Sequence, residues 1–304
     1  MTTDERPARL DVGVVGTGRV GAVLGAALAR AGHRVVAGYG VSVSSKHRAH
    51  ELLPDVPLVT PAEVFRRASL VLLTVPDDVL ADLVAGLART GAVRAGQIVV
   101  HTSGRYGVEV LGPATRAGAL PLALHPAMTF TGTSVDLERL AGAVFGVTAP
   151  EPLWPVAEAL VMEMGSEPVR IAEENRTLYH AALTHASNHL VTLVADAMDL
   201  LRGAGNDEPD KVLAPLLSAA LDNVLRSGDA ALTGPVARGD AGTVASHIAE
   251  IRRAAPEAVD AYVHLARRTA ARALASGRLK ATDAEPLLDA LSLPQRRGGG
   301  GEAR

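Results

Sequence analysis

A chain of 304 residues is long enough for one large or two medium-sized domains with a sizeable core. Its formal net charge of −3 creates no basic field, so neither nucleic acid nor an anionic membrane is an expected partner. The absence of cysteine removes disulfides, thiolate metal sites and a cysteine nucleophile together.

The first ten residues carry Asp4, Glu5, Arg6 and Arg9 and lack the apolar stretch of a secretory leader. No uncharged apolar run approaches the roughly 20 residues of a membrane helix, so a cytoplasmic protein with no membrane partner is expected. From Asp11 to about Ala172, short apolar runs alternate with helical patterns, which predicts parallel βαβ units. The first run, Val12–Val15, leads into Gly16-Thr17-Gly18-Arg19-Val20-Gly21, a match to the G-x-G-x-x-G dinucleotide fingerprint. In that reading Gly16 permits the tight turn, Gly18 lets backbone approach a pyrophosphate, and Gly21 lets the helix pack on the strand. The helix Val20–Ala31 offers its free N–H groups to the phosphates, so residues 16–21 are the first expected cofactor contacts.

A second strand is predicted over Arg34–Gly38 and a third over Pro57–Thr60, with Pro61 in the first turn of the next helix. An NAD site ordinarily places an acid after the second strand to hold the ribose hydroxyls. This chain has none before Glu51; Ser44, Ser45, Lys46 and Arg48 suit a 2′-phosphate instead, favouring NADP over NAD and disfavouring a flavin. Leu70–Val75 reads as a buried strand running into Pro76, with Asp77 or Asp78 capping a helix Val79–Arg89. Val75 and Pro76 are placed beside the cofactor. Two more strands end in Thr102-Ser103-Gly104 and in His125-Pro126. Parallel sheets bind ligands at these carboxyl ends, so Ser103 and His125 are candidates to hold a substrate oxygen. Weaker strands over 143–148 and 167–172, flanking a helix over 155–165, extend the sheet.

After Ala172 the period changes to that of helices: one long helix over 174–203, then others around 210–227, 240–254, 257–277 and 282–291, and a disordered tail over 295–304. The expected architecture is a Rossmann-type, doubly wound, mostly parallel α/β domain over 1–172 and an all-helical domain over 173–304. On the long helix His180, Thr184 and Asn188 form one stripe by their four-residue spacing. An imidazole suits proton transfer near neutral pH and an amide can orient a carbonyl, which makes His180 and Asn188 catalytic candidates beside Ser103. His185 and His189 have a zinc-like spacing but no third ligand, and no metal is expected. Thr233, Arg238 and Asp240 crowd a loop between helices, where an arginine could clamp a carboxylate.

Four motifs together resemble the Rossmann-like oxidoreductases whose C-terminal helical domain has no assigned function: Gly16-x-Gly18-x-x-Gly21, His125-Pro126 with Phe130, His180-Ala181-Ala182 with Ser187-Asn188, and Leu232-Thr233-Gly234-Pro235-x-x-Arg238-Gly239-Asp240. The wider group looks like ketopantoate reductase, pyrroline-5-carboxylate reductase and the β-hydroxyacid dehydrogenases, with a helical domain like that of 6-phosphogluconate dehydrogenase. The resemblance implies an NADP-dependent reductase or dehydrogenase of a small carboxylated keto or imino compound, substrate between the domains, and a homodimer through the helical domain. One departure stands out. Aligning Asn188 with the asparagine of the lysine-dependent relatives puts Thr184 where their lysine lies, leaving His180, one turn back, as the nearest proton donor. A non-catalytic NADP-binding sensor is the other reading, and Thr184 favours it.

Overall fold

A computed structural model describes residues 9–292, so the tail expected over 295–304 lies outside the described residues. By packing the chain divides into two compact units, 1–186 and 187–304.

The first unit is built on a seven-stranded sheet: β1 (Asp11–Val15), β2 (Arg34–Tyr39), β3 (Leu70–Leu73), β4 (Ile98–His101), β5 (Leu120–Pro126), β6 (Val144–Thr148) and β7 (Glu167–Arg170). The order is β2-β1-β3-β4-β5-β6-β7, parallel throughout except where β6 runs against β5. The helices are α1 (Arg19–Arg30), α2 (Val43–Leu52), α3 (Pro61–Arg67), α4 (Asp77–Arg89), α5 (Gly112–Arg116), α6 (Val135–Leu140) and α7 (Trp154–Glu163). The central strands face apolar layers on both sides, which is why they read as unbroken hydrophobic runs. Leu70 and Leu72 enter one core with Val12, Val14, Leu24 and Phe145. Val71 and Leu73 point the other way, into a core with Val15, Phe65 and Leu80.

Two expectations are corrected here. Residues 57–60 form no strand, only a single parallel bridge between Leu58 and Gly38 at the edge of β2. The stretch leads at once into α3, where Thr60 accepts the Glu63 N–H at 3.3 Å and Pro61 opens the first turn. The run 70–75 is strand only to Leu73, and the helix after it starts at Asp77 with Pro76 at its N-cap. Asp77 and Asp78 therefore lie inside the first turn, where their charge favours the helix dipole, and neither caps it.

The last helices are α8 (Arg176–Gly203), α9 (Pro209–Ser227), α10 (Gly234–Arg238), α11 (Ala241–Ala254), α12 (Val259–Ala275) and α13 (Ala281–Ala290). The division at 186 falls inside α8, later than the change of sequence period at 172, because the first turns of α8 pack with the sheet. The second unit has its own core of Val244, Ile248, Val263, Ala270 and Leu287. Within it, α9 buries only Pro209 and Leu213 and exposes Leu216, Leu221 and Leu225. Among the described residues no helix is long and apolar enough to cross a membrane.

Candidate functional site

The carboxyl ends of β1 and β3 meet at the point where the chain reverses its direction of winding, and the glycine turn lies there. Gly16 has φ +105°, and a Cβ on it would lie 2.6 Å from the Thr74 carbonyl oxygen. Both features demand glycine. Gly21 has no room either, since a Cβ would strike the Gly16 carbonyl oxygen and the Thr74 hydroxyl. Gly18 differs from both. Its φ is −75°, and a Cβ would meet nothing within 4 Å. Neither backbone nor packing requires glycine at 18, so what it keeps open is space outside the protein's own atoms. Gly18 is also the N-cap of α1, which has no side-chain cap and no acid in its first turn. The Arg19, Val20 and Gly21 N–H groups are thus left for an anion, and this cradle fits a dinucleotide pyrophosphate. Thr17 serves the turn itself: its buried hydroxyl donates to the Ser45 carbonyl at 3.1 Å and its N–H to the Tyr39 carbonyl at 2.9 Å.

That bond joins the turn to α2. Ser42 caps α2, accepting the Ser45 N–H at 3.0 Å, and the buried Ser45 hydroxyl donates back to the Ser42 carbonyl at 2.8 Å. Ser45 is therefore a structural residue, whereas Ser44 and Lys46 are exposed on the first turn. Arg48 and Arg19 converge from two helices on Gly132, whose Cβ would lie 2.6 Å from Arg48 Nε and 3.0 Å from Arg19 Cγ. Gly132 sits in a loop after β5 held by Asp136, a buried carboxylate that accepts the Gly132 N–H at 2.7 Å and the Thr131 N–H at 2.8 Å. Neither arginine is in an ion pair among the described residues. The result is two cations, Arg19 and Arg48, beside an uncapped helix start.

The ends of β4 and β5 carry Ser103 and His125. Val75 is half-buried and Pro76 exposed just beyond β3. Ser103, expected to hold a substrate oxygen, instead accepts the Arg105 and Tyr106 N–H groups at 3.2 and 3.1 Å, folding its own loop. The loop then turns at Gly104 against two imidazoles. A Cβ at 104 would lie 2.6 Å from His180 Cδ2 and 2.9 Å from His125 Nε2. The two rings, one from β5 and one from α8, stand edge to face with centres 5.9 Å apart. His125 Nδ1 is hydrogen-bonded to the Tyr179 hydroxyl at 2.9 Å.

Beneath them lies Arg176, 1% exposed, whose guanidinium donates to the carbonyls of Tyr106, Gly146 and Ser103 at 2.8, 3.0 and 3.1 Å. His101 is buried alongside: its Nδ1 accepts the Ser103 N–H at 3.2 Å, so its Nε2 donates to the Gly107 carbonyl at 2.7 Å. Burial first, then the Arg176 charge, push His125 down to about 4. Burial pushes His101 to about 4 as well, against the Gly107 hydrogen bond. The Tyr179 hydroxyl is pushed up by burial. Arg176, Tyr179, His101 and Gly104 were not singled out in the sequence. Tyr179 adjoined His180 in it, but nothing local marks Arg176.

Asn188, Thr233, Arg238 and Asp240 belong to the second unit. Asn188 is exposed, its side-chain oxygen accepting the Ser187 hydroxyl at 3.1 Å. The glycine-rich motif at 234–240 is a helix-to-helix turn. Pro235 lies in the first turn of α10, Gly239 takes the left-handed φ of +78° at its end, and Asp240 caps α11. Both Asp240 oxygens accept from Thr243, at 3.0 Å from its N–H and 2.7 Å from its hydroxyl, so Asp240 serves as the cap of α11. Thr233 and Arg238 are exposed. Among the described residues no three metal-ligating side chains cluster.

Residues 1–126 match the model of the Rossmann-like domain and residues 143–269 that of a domain of unknown function, DUF2520. No curated protein matches the chain. Among solved structures, a Bacteroides fragilis protein assigned as an NADP oxidoreductase is 23% identical, with a TM-score of 0.72 over 86% of this chain and 98% of that one. An imine reductase variant from Myxococcus stipitatus, in complex with NAD+, is 17% identical, with a TM-score of 0.61 over 93% and 99%. A reductive aminase from Aspergillus terreus, in complex with NADPH and ethyl levulinate, is 16% identical, with a TM-score of 0.59 over 89% and 95%.

Proposed function

For a chain that joins a Rossmann-like domain to a DUF2520 domain, we propose an NADP-dependent reductase of a small keto or imino compound carrying a carboxylate. The observation that carries it is the convergence of His125 and His180 on Gly104, on the same edge of the sheet as the open cradle at Gly18. Fold neighbours that bind NADPH or NAD+ and reduce imines support the reading.

In this reading the N–H groups of residues 19–21 hold the pyrophosphate, Val75 and Pro76 flank the dinucleotide, and Arg19, Arg48, Ser44 and Lys46 face the 2′-phosphate. A bound NADPH supplies a hydride to the substrate carbon. His180 donates the proton that the substrate heteroatom takes up, and His125 donates a hydrogen bond to that atom; such an acid is worth typically 10²–10⁴-fold in rate. Arg238 remains the candidate for a substrate carboxylate and Asn188 for orienting the reacting group. The exposed Leu221, Val224 and Leu225 on one face of α9 support a homodimer through the helical unit, since a monomer would leave this apolar row in water.

The test is NADPH consumption with a panel of 2-keto acids and cyclic imines, wild type against His180→Ala. Steep loss of turnover with NADPH affinity unchanged is expected. Cofactor binding without consumption of any substrate would instead favour the sensor. Sedimentation of Leu221→Asp beside the wild type tests the dimer, with a shift to monomer expected.

A further inference from the structure

Two groups around His125, Tyr179 and Arg176, restrict it to one protonation state and one tautomer. We propose that Tyr179 and Arg176 are positioning residues that fix His125 as a neutral imidazole with its proton on Nε2, aimed at the substrate's carbonyl or imine so as to polarise the bond being reduced. This rests on the reductase reading above.

The Tyr179 hydroxyl packs on the Gly146 backbone, and a Cβ at Gly146 would lie 2.5 Å from the hydroxyl oxygen, so glycine is what admits the phenol. Among the described residues its hydrogen-bond partner is His125 Nδ1, at 2.9 Å, and of the two groups the phenol is the stronger donor and the imidazole nitrogen the stronger acceptor, so the hydroxyl hydrogen goes to Nδ1. A ring whose Nδ1 accepts carries its proton on Nε2. Nε2 has no partner among the described residues, yet no buried side-chain nitrogen is left unpaired, so Nε2 is open to a ligand. Gly104 is what keeps it open, since any larger residue there would press on that nitrogen.

Arg176 supplies the second restriction. Its guanidinium is buried and hydrogen-bonded to carbonyls rather than to a carboxylate; the Glu173 charge acts on it without a direct bond, and Arg176, together with His180 and His101, opposes a cation on His125. His101 shows the same surroundings enforcing the same result: neutral, with the proton on Nε2. The chemical gain is separation of roles. A neutral imidazole N–H stabilises negative charge developing on the heteroatom without surrendering its proton, while His180 gives up the proton as the C=O or C=N bond becomes single.

The experiment is ¹⁵N NMR of the full-length protein, with the His125 signals assigned by their absence from His125→Gln. The wild type should show Nε2-protonated, uncharged His125 from about pH 8 to about pH 5. Tyr179→Phe should admit the Nδ1-protonated tautomer and lower kcat at least about tenfold, with KM and NADPH affinity within about twofold; loss of one donor to developing charge costs roughly 10²–10³. Tyr179→His, which restores a hydrogen-bonding ring, should recover part of kcat. A wild-type His125 protonated on Nδ1, or titrating near its ordinary value, overturns the proposal whatever the activity, and needs no variant to fold. An unchanged tautomer in Tyr179→Phe overturns it too. If His125 has the expected tautomer but NADPH is never consumed, the reductase reading fails and the polarising role with it. Nδ1 protonation in an active enzyme removes this proposal alone.

Discussion

At residues 16–21 a glycine turn hands a strand to a helix whose first N–H groups have no side-chain cap, whereas at 234–240 a glycine turn joins two helices and Asp240 closes the second. In sequence the second motif is the more polar and looks the richer in chemistry. In the structure its glycines and its acid are accounted for by the turn itself: Gly234 and Gly239 take positive φ, and each oxygen of Asp240 accepts a hydrogen bond from Thr243. The first motif contains one glycine, Gly18, that no contact among the described residues requires. A motif points to a ligand when its own fold leaves part of it unexplained.

The comparison can be broken most severely at Gly21. Gly21→Val would drive side-chain atoms into the Gly16 carbonyl and Thr74, and should cost more than about 3 kcal/mol or prevent folding, read from urea unfolding. A variant as stable as the wild type would show that the turn is not the rigid cradle described.

Acid is the next strongest perturbation. His101 and His125 are bases whose folded values lie at about 4, below their ordinary value of 6.5, so the unfolded chain binds protons first. Their contribution to stability is complete above about pH 6.5 and is lost as pH falls toward 4, each accounting for roughly 3 kcal/mol between those limits. Urea midpoints across that window should therefore fall with acid, and His125→Gln should flatten part of the slope.

Gly18→Ala sharpens the comparison directly. Its backbone tolerates alanine and its Cβ meets no atom, so thermal stability should hold while NADPH affinity falls at least about tenfold, measured by fluorescence titration. Loss of stability with binding intact would reverse the assignment of that glycine. The smallest effect is expected at Asp240. Asp240→Ala should lower the melting temperature slightly with NADPH affinity unchanged. Thr243 holds the Asp240 carboxyl below its usual value, so this contribution is present above the ordinary carboxylate range and disappears as pH falls through the lowered value; wild type and variant should converge there.

Much of the architecture was legible because period alone carries it. Val12–Val15 and Leu70–Leu73 read as buried strands, and the helices after 172 show a 3.6-residue rhythm that burial enforces. Boundaries were less legible. Residues 57–60 have the apolar content of a strand but make only one bridge, and Pro76 rather than Asp77 sets the start of α4. Of the site, the glycine turn and the histidines 125 and 180 were visible as residue types at the ends of elements. The serines were not legible in role, since a hydroxyl in sequence does not reveal that it bonds its own loop, as those of Ser45 and Ser103 do.

By itself the sequence determined a Rossmann-like α/β region followed by helices, and which glycine turn opens a helix with free N–H groups, because local period and glycine conformation are properties of short stretches. Only the tertiary structure decided which polar groups meet. Arg176 lies 73 residues from Ser103 and 30 from Gly146 in sequence, and Tyr179 lies 54 from His125. Those separations close only when α8 packs with the sheet, and the resulting burial, which no linear pattern encodes, is what holds His125 neutral.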